Sequence, residues 1–310
     1  MPNIGNSDLD VYGLNLGGNV FGWTADEEQS FAVLDAYAAA GGNFIDTADS
    51  YMARVPGNSG GESETIIGNW LARRGRRDDI VIATKVGSWA RHPGLSAQNI
   101  REAAEDSLRR LRTDHIDLYY AHRDFDDVPL EETLGAFDEL VRAGKVRYIG
   151  ASNYSADRLS QALSISDKEG FARYVALQPH YNLVERDYEQ ELAPLVRKEG
   201  LSTLPYFALA KGFLTGKYRS RETTNDSPRS GGAVAYLDHR GERVLEALDD
   251  VAAAHKSTPA AVSLAWLAVQ PTVAAPIASA RNLDQLQDLI ASVELRLTDA
   301  ELAALTDASS

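Results

Sequence analysis

The sequence predicts an α/β chain folded as one (β/α)8 barrel, and three observations carry that prediction. Eight short runs rich in β-branched and aliphatic residues alternate with longer amphipathic stretches. The runs begin roughly every 30 to 40 residues, the size of a βα unit. No Pro/Gly/Ser-rich linker divides the 310 residues. A barrel holds roughly 250 to 300 residues as one domain, so residues 1–310 are expected to form a single domain rather than an open, doubly wound sheet.

Taken in order, residues 4–11 read as a short N-terminal β-hairpin across the bottom of the barrel, with Gly5-Asn6-Ser7 as its turn signal. The expected strands are 14–16, 43–45, 80–84, 116–121, 146–150, 174–177, 201–204 and 272–275, each apolar enough to be a buried parallel strand. Helical periods cover 28–40, 64–74, 97–111, 130–143, 156–165, 188–197, 242–254 and 283–290. An extra helix over 260–269, opened by Pro259 in its first turn, is expected before strand eight, and a further one at the C-terminus. The polar stretch 219–232 reads as a long mobile loop.

Composition narrows the chemistry. The chain has no cysteine, so it can hold no disulfide, thiolate metal site or cysteine nucleophile. With 31 Lys and Arg against 45 Asp and Glu, a net charge of −14 and a pI near 4.9, it lacks the basic surface that nucleic acid requires. No apolar run approaches a membrane span, and the first residues lack the layout of a signal peptide. The expectation is a cytoplasmic protein acting on a small molecule, with no membrane or nucleic-acid partner. Oligomeric state is left open by the sequence.

In such barrels the reactive groups stand at the C-terminal ends of the strands. Strand two ends in Asp46, strand three in Lys85 and strand four is followed by His122, at spacings of one βα unit, and Tyr51 lies in the loop above Asp46. A carboxylate, an amine, an imidazole and a phenol therefore converge on one rim. An ammonium beside a phenol favours the phenolate and makes a sluggish acid a usable one. Asp46 would hold Lys85 charged and aimed, and His122 would hydrogen-bond the oxygen being protonated. The set is suited to stabilising charge on a carbonyl oxygen and protonating it. No metal-ligand spacing is present, and no nearby side chain supplies a nucleophile or hydride. Phe21, Trp23 and Trp89 follow strands one and three and are candidates to line a substrate pocket. Paired carboxylates, Asp46 with Glu62, would suit a barrel hydrolase or isomerase instead, but leave Lys85 without a role.

Several runs together resemble the aldo-keto reductases. They are Asn43-Phe44-Ile45-Asp46-Thr47-Ala48-Asp49-Ser50-Tyr51, Gly61-Glu62-Ser63-Glu64, Ala83-Thr84-Lys85, residues 116–122 ending in Ala121-His122, and residues 144–153 ending in Ala151-Ser152-Asn153. The resemblance runs in order from about residue 4 to residue 289. It implies a TIM barrel with Asp46, Tyr51, Lys85 and His122 as the catalytic tetrad, and NADP(H) lying extended across the C-terminal face. The Gly-x-Gly-x-x-Gly signal of a dinucleotide-binding domain is absent, as that reading requires. By the same resemblance Ser152, Asn153 and Gln178 hold the nicotinamide carboxamide and Tyr206 stacks on its ring. Phe207, Ala208, Leu209, Ala210, Lys211, Gly212 and Lys217 belong to the loop round the pyrophosphate. Ile277, Ser279, Arg281, Gln285 and Asp288 grip the adenosine end, with Arg281 favouring the 2′-phosphate of NADPH. The sequence departs from the family at Ser279, commonly Gly, at Leu289, commonly Asn, and in a longer loop over 52–61. The implied activity is reversible reduction of an aldehyde or ketone, with the substrate unnamed. A slow-turnover, cofactor-binding regulatory subunit is the rival within the same resemblance.

Overall fold

The computed structural model describes residues 1–220 and 230–310; residues 221–229, the middle of the expected mobile loop, lie outside the described residues. Its barrel strands are β1 (Asn15–Gly17), β2 (Phe44–Asp46), β3 (Val81–Val86), β4 (Ile116–Ala121), β5 (Val146–Ser152), β6 (Tyr174–Gln178), β7 (Ser202–Thr203) and β8 (Ile277–Ala278). All pair in parallel, in the order β8-β1-β2-β3-β4-β5-β6-β7. The two outer members meet. The Thr203 amide donates to Thr272 O, the Ala274 amide to Thr203 O and the Ile277 amide to Pro205 O, while Asn15 pairs with Ile277. The sheet thus closes on itself, which leaves no edge to protect.

Side chains alternate across the barrel wall, as the two-residue period of a strand dictates. Val81 and Ala83 of β3 and Leu118 and Tyr120 of β4 share the interior with Phe44, Val175 and Leu204, whereas Ile82, Tyr119 and Ile149 pack outward against the helices. The N-terminal hairpin, bridged at Asn3 and Asp10, adds Ile4, Leu9 and Val11 to the interior cluster. Gly5 takes a φ of 50°, and a Cβ there would stand 2.3 Å from Val175 O, so only glycine lets the hairpin seat this closely.

The helices are α1 (Glu27–Ala39), α2 (Glu62–Arg74), α3 (Ala97–Leu111), α4 (Leu130–Arg142), α5 (Ala156–Glu169), α6 (Leu192–Lys198), α7 (Ser230–Val234), α8 (His239–His255), α9 (Pro259–Ala268), α10 (Leu283–Glu294) and α11 (Asp299–Ala308). Their starts are chemically marked: Asp26, Ser96, Ser155, Asp238, Thr258, Asn282 and Thr298 each accept from an amide one turn in. None of the described helices is long and apolar enough to cross a membrane.

Three expectations are corrected. Strand eight is Ile277–Ala278, not 272–275: the backbone bonds of residues 272–274 to the sheet go to β7, and Pro276, which has no N–H, separates them from the pair that reaches β1. The expected helix over 188–197 is a 3-10 turn at Asp187–Glu189 followed by α6, because Pro194 is tolerated only in a first turn. The polar loop ends earlier than 232, since α7 begins at Ser230.

Candidate active site

Asp46 ends β2 and Lys85 lies in β3, on the inward-facing line that continues from Val81 and Ala83. Both side chains are only 1% exposed, and their ion pair measures 2.6 Å. Such a pair tolerates burial only when its remaining donors and acceptors are satisfied. Here they are: Lys85 Nζ also donates to Thr47 O at 2.7 Å and to the Tyr51 hydroxyl at 2.7 Å, and Gln178 Nε2 donates to Asp46 Oδ2 at 2.8 Å. Tyr51 in turn donates to Asp46 Oδ1 at 3.0 Å. Burial pulls the Lys85 ammonium below its ordinary range, and the charge and hydrogen bond of Asp46 oppose that pull.

His122 follows β4 directly, its amide donating to Val86 O. Its ring stands edge-on to that of Tyr51, centroids 6.2 Å apart. Burial, then the Lys85 ammonium and then Arg123 push its imidazole well below the ordinary histidine range, so it is neutral near pH 7. Asp46, Tyr51, Lys85 and His122 are therefore brought together, with Tyr51 and His122 facing a cleft of about 630 Å³ and Asp46 and Lys85 beneath it.

The walls of that cleft contain Ser152, Asn153, Gln178, Tyr206, Phe207, Ala208, Leu209, Lys211, Gly212, Lys217, Ile277, Ser279, Arg281, Gln285 and Asp288. Ala210, from the same segment, is buried behind them. At the end of β5, Ser152 Oγ donates to Gln178 O at 2.9 Å, and the α5 N-cap is Ser155, so Ser152 is not needed for capping. Asn153 adopts a φ of 57°, tolerable for Asn, and its amide donates to His122 O and Ser152 Oγ. The Tyr206 hydroxyl donates to Asn153 Oδ1 at 2.7 Å, and His180 stacks behind its ring at 5.3 Å and 12°. Tyr206 is thus fixed as a flat wall.

Two features of the cleft fit an extended dinucleotide. Phe207, Ala210, Lys211 and Gly212 all take positive φ; the Ala210 and Gly212 amides donate to Phe207 O and Leu209 O, which leaves those of Phe207 and Lys211 without a backbone acceptor among the described residues and open to an anion. Lys211, Lys217 and Arg281 enter the cleft with no carboxylate within ion-pair distance among the described residues. Arg281 sits just before α10, its amide donating to Gln285 Oε1, and Ser279 Oγ donates to Asn19 Oδ1.

Of the three aromatic candidates for a substrate pocket, only Trp23 lines the cleft. Phe21 is fully buried in the core. Trp89 is buried in a small hairpin (Ser88–Trp89 with His92–Pro93), its indole donating to Ser59 O and lying against Gly60. Their positions after strands two βα units apart did not reveal which way each ring turns. Glu62 does not pair with Asp46: its carboxylate accepts from the Ser59 and Gly60 amides. Residues that sequence reasoning missed include Asn19 and Thr24 in the loop after β1, Thr258 at the α9 N-cap, and Arg123. For Arg123 the signal was adjacency to His122.

A family model described as the aldo/keto reductase family matches residues 13–310. The chain is 35% identical to Protein tas of Escherichia coli K12, over 97% of this chain and 95% of that protein. It is 37% identical to the uncharacterized oxidoreductase YrpG of Bacillus subtilis, over 98% and 94%. To norsolorinic acid reductase B of Aspergillus parasiticus it is 34% identical, over 94% and 77%.

Proposed function

The chain belongs to the aldo/keto reductase family, and from that premise we propose that it is an NADPH-dependent reductase of aldehydes or ketones, with Tyr51 as the proton donor. The observation that carries the reading is the triangle of Tyr51 at the cleft with Lys85 and Asp46 buried beneath it, closed by contacts of 2.6, 2.7 and 3.0 Å. Bound in the cleft, the nicotinamide would supply the hydride that the side chains lack.

Tyr51 hands its proton to the carbonyl oxygen, and the charge left on the phenol oxygen is offset by the Lys85 ammonium 2.7 Å away. Asp46 keeps that ammonium in place, and Gln178 holds the second oxygen of Asp46. His122, being neutral, orients the carbonyl by a hydrogen bond without competing as an acid. Ser152, Asn153 and Gln178 would hold the carboxamide, Tyr206 the ring face, residues 207–217 the pyrophosphate and Arg281 the 2′-phosphate. Nothing in this arrangement prevents the reverse oxidation of an alcohol.

The test is Tyr51→Phe. Loss of the donor alone should lower kcat by about 10²- to 10⁴-fold while the NADPH dissociation constant, read by fluorescence, stays within about threefold. Retention of more than about a tenth of wild-type kcat would remove this mechanism.

A further inference from the structure

Arg123 is a cation at the reacting end of the cleft that the proposed chemistry does not use. It follows His122, at the C-terminal end of β4, and lines the same cleft as Tyr51. Its Nε donates to Ser88 Oγ at 3.2 Å, which ties the side chain to the neighbouring hairpin, and the two terminal nitrogens of the fork have no hydrogen-bond partner among the described residues. The nearest acid in sequence is already taken: Asp124 is gripped by Arg158 through contacts of 2.6 and 2.9 Å. Arg123 makes no ion pair among the described residues. The carboxylate lining the cleft, Asp288, stands on α10 with Gln285. The guanidinium also reaches the site electrostatically, lowering the proton affinity of both His122 and the Tyr206 phenol.

An unpaired arginine fork beside a carbonyl-protonating group, in a protein of net charge −14, calls for an anion on the substrate. Its geometry suits a carboxylate, bound through two parallel N–H donors. We propose that Arg123 is the specificity-determining residue for carbonyl substrates that carry a carboxylate; this rests on the reductase reading above. Lysine would supply charge without the fork and should serve less well.

The experiment compares 4-carboxybenzaldehyde with its neutral methyl ester, following NADPH oxidation by wild type, Arg123→Leu and Arg123→Lys. The expected result is a kcat/KM ratio of acid to ester of at least tenfold in wild type, carried mainly by KM. That ratio should fall by about 10- to 100-fold in Arg123→Leu, and by less in Arg123→Lys. A wild-type ratio near one, or a ratio that the substitutions leave unchanged, overturns the proposal. If neither aldehyde is reduced, the reductase reading fails instead, and calorimetric titration with 4-(hydroxymethyl)benzoate still decides the role of Arg123. Binding at least tenfold weaker in Arg123→Leu supports it, and equal or absent binding in wild type and variant refutes it.

Discussion

Three carboxylates, Asp46, Asp49 and Glu64, are buried, and they do not share one state. Glu64 is fully buried yet satisfied, accepting from Thr84 Oγ1 and from Arg110 Nε at 2.6 Å each. Asp49 is different. Burial first, and then the charge of Glu64, push its carboxyl well above the ordinary range, against a smaller opposing pull from Arg110. A carboxyl whose proton is held more tightly in the folded state gives stability that is complete below the unfolded value and lost as pH rises through the folded one. Asp49→Asn should therefore flatten the decline in urea-unfolding free energy as pH rises above the ordinary carboxylate range of about 4. A parallel pH profile for wild type and variant would show that Asp49 ionises as freely in the fold as outside it. Arg281 offers a second residue-scale test. Its guanidinium is the one assigned to the 2′-phosphate, so Arg281→Ala should weaken NADPH binding by about 2 to 3 kcal/mol, as one charge-assisted contact does. NADH should change little, and fluorescence titration of both cofactors measures the difference. Equal losses for the two would assign Arg281 to the shared part of the cofactor.

At the scale of elements, the long loop over 52–61 is tied at three points. Asn58 Nδ2 donates to Gly22 O at 2.9 Å, Trp89 Nε1 to Ser59 O, and the Ser59 and Gly60 amides to Glu62. Gly22 adjoins Trp23, the aromatic that lines the cleft. None of residues 52–61 lines the cleft, so any effect of the loop on substrate would run through the wall it holds. Asn58→Ala should change the kcat/KM ranking of bulky against small aldehydes, at a stability cost of about 1 kcal/mol; an unchanged ranking with the same loss of stability would confine the loop to packing. The elements also show where the sequence was legible. Apolar runs and caps located seven strands and most helices, because period and capping are local. Strand eight was displaced because Thr272–Ala274 and Ile277–Ala278 are equally apolar, and only pairing with β7 on one side and β1 on the other separates them. Trp89 was misassigned for a related reason: Gly60, 29 positions earlier, receives its ring.

The whole molecule carries −14, and several of its cross-element ion pairs, among them Arg73 with Asp35, Arg101 with Glu139 and Lys145 with Glu105, are exposed, where each contributes little. Self-repulsion opposes the fold, and salt screens it. Raising NaCl from about 20 to about 300 mM should increase Tm by a few degrees, as the Debye length falls below about 10 Å. NADPH affinity should fall over the same range, because the local attraction from Lys211, Lys217 and Arg281 is screened. A drop in Tm would show that the ion pairs outweigh the net charge. By itself the sequence determined the barrel, the single chain of βα units and the convergence of Asp46, Lys85 and His122 with Tyr51 in the loop above Asp46, since one residue per strand end is arithmetic once the units are counted and Tyr51 follows Asp46 by five positions. Only the tertiary structure decided that Gln178 holds Asp46, that Ser88 orients Arg123, that His180 backs Tyr206, and that Phe21 turns away from the cleft. Those depend on side-chain direction and on contacts between segments remote in the chain, which local periodicity does not encode.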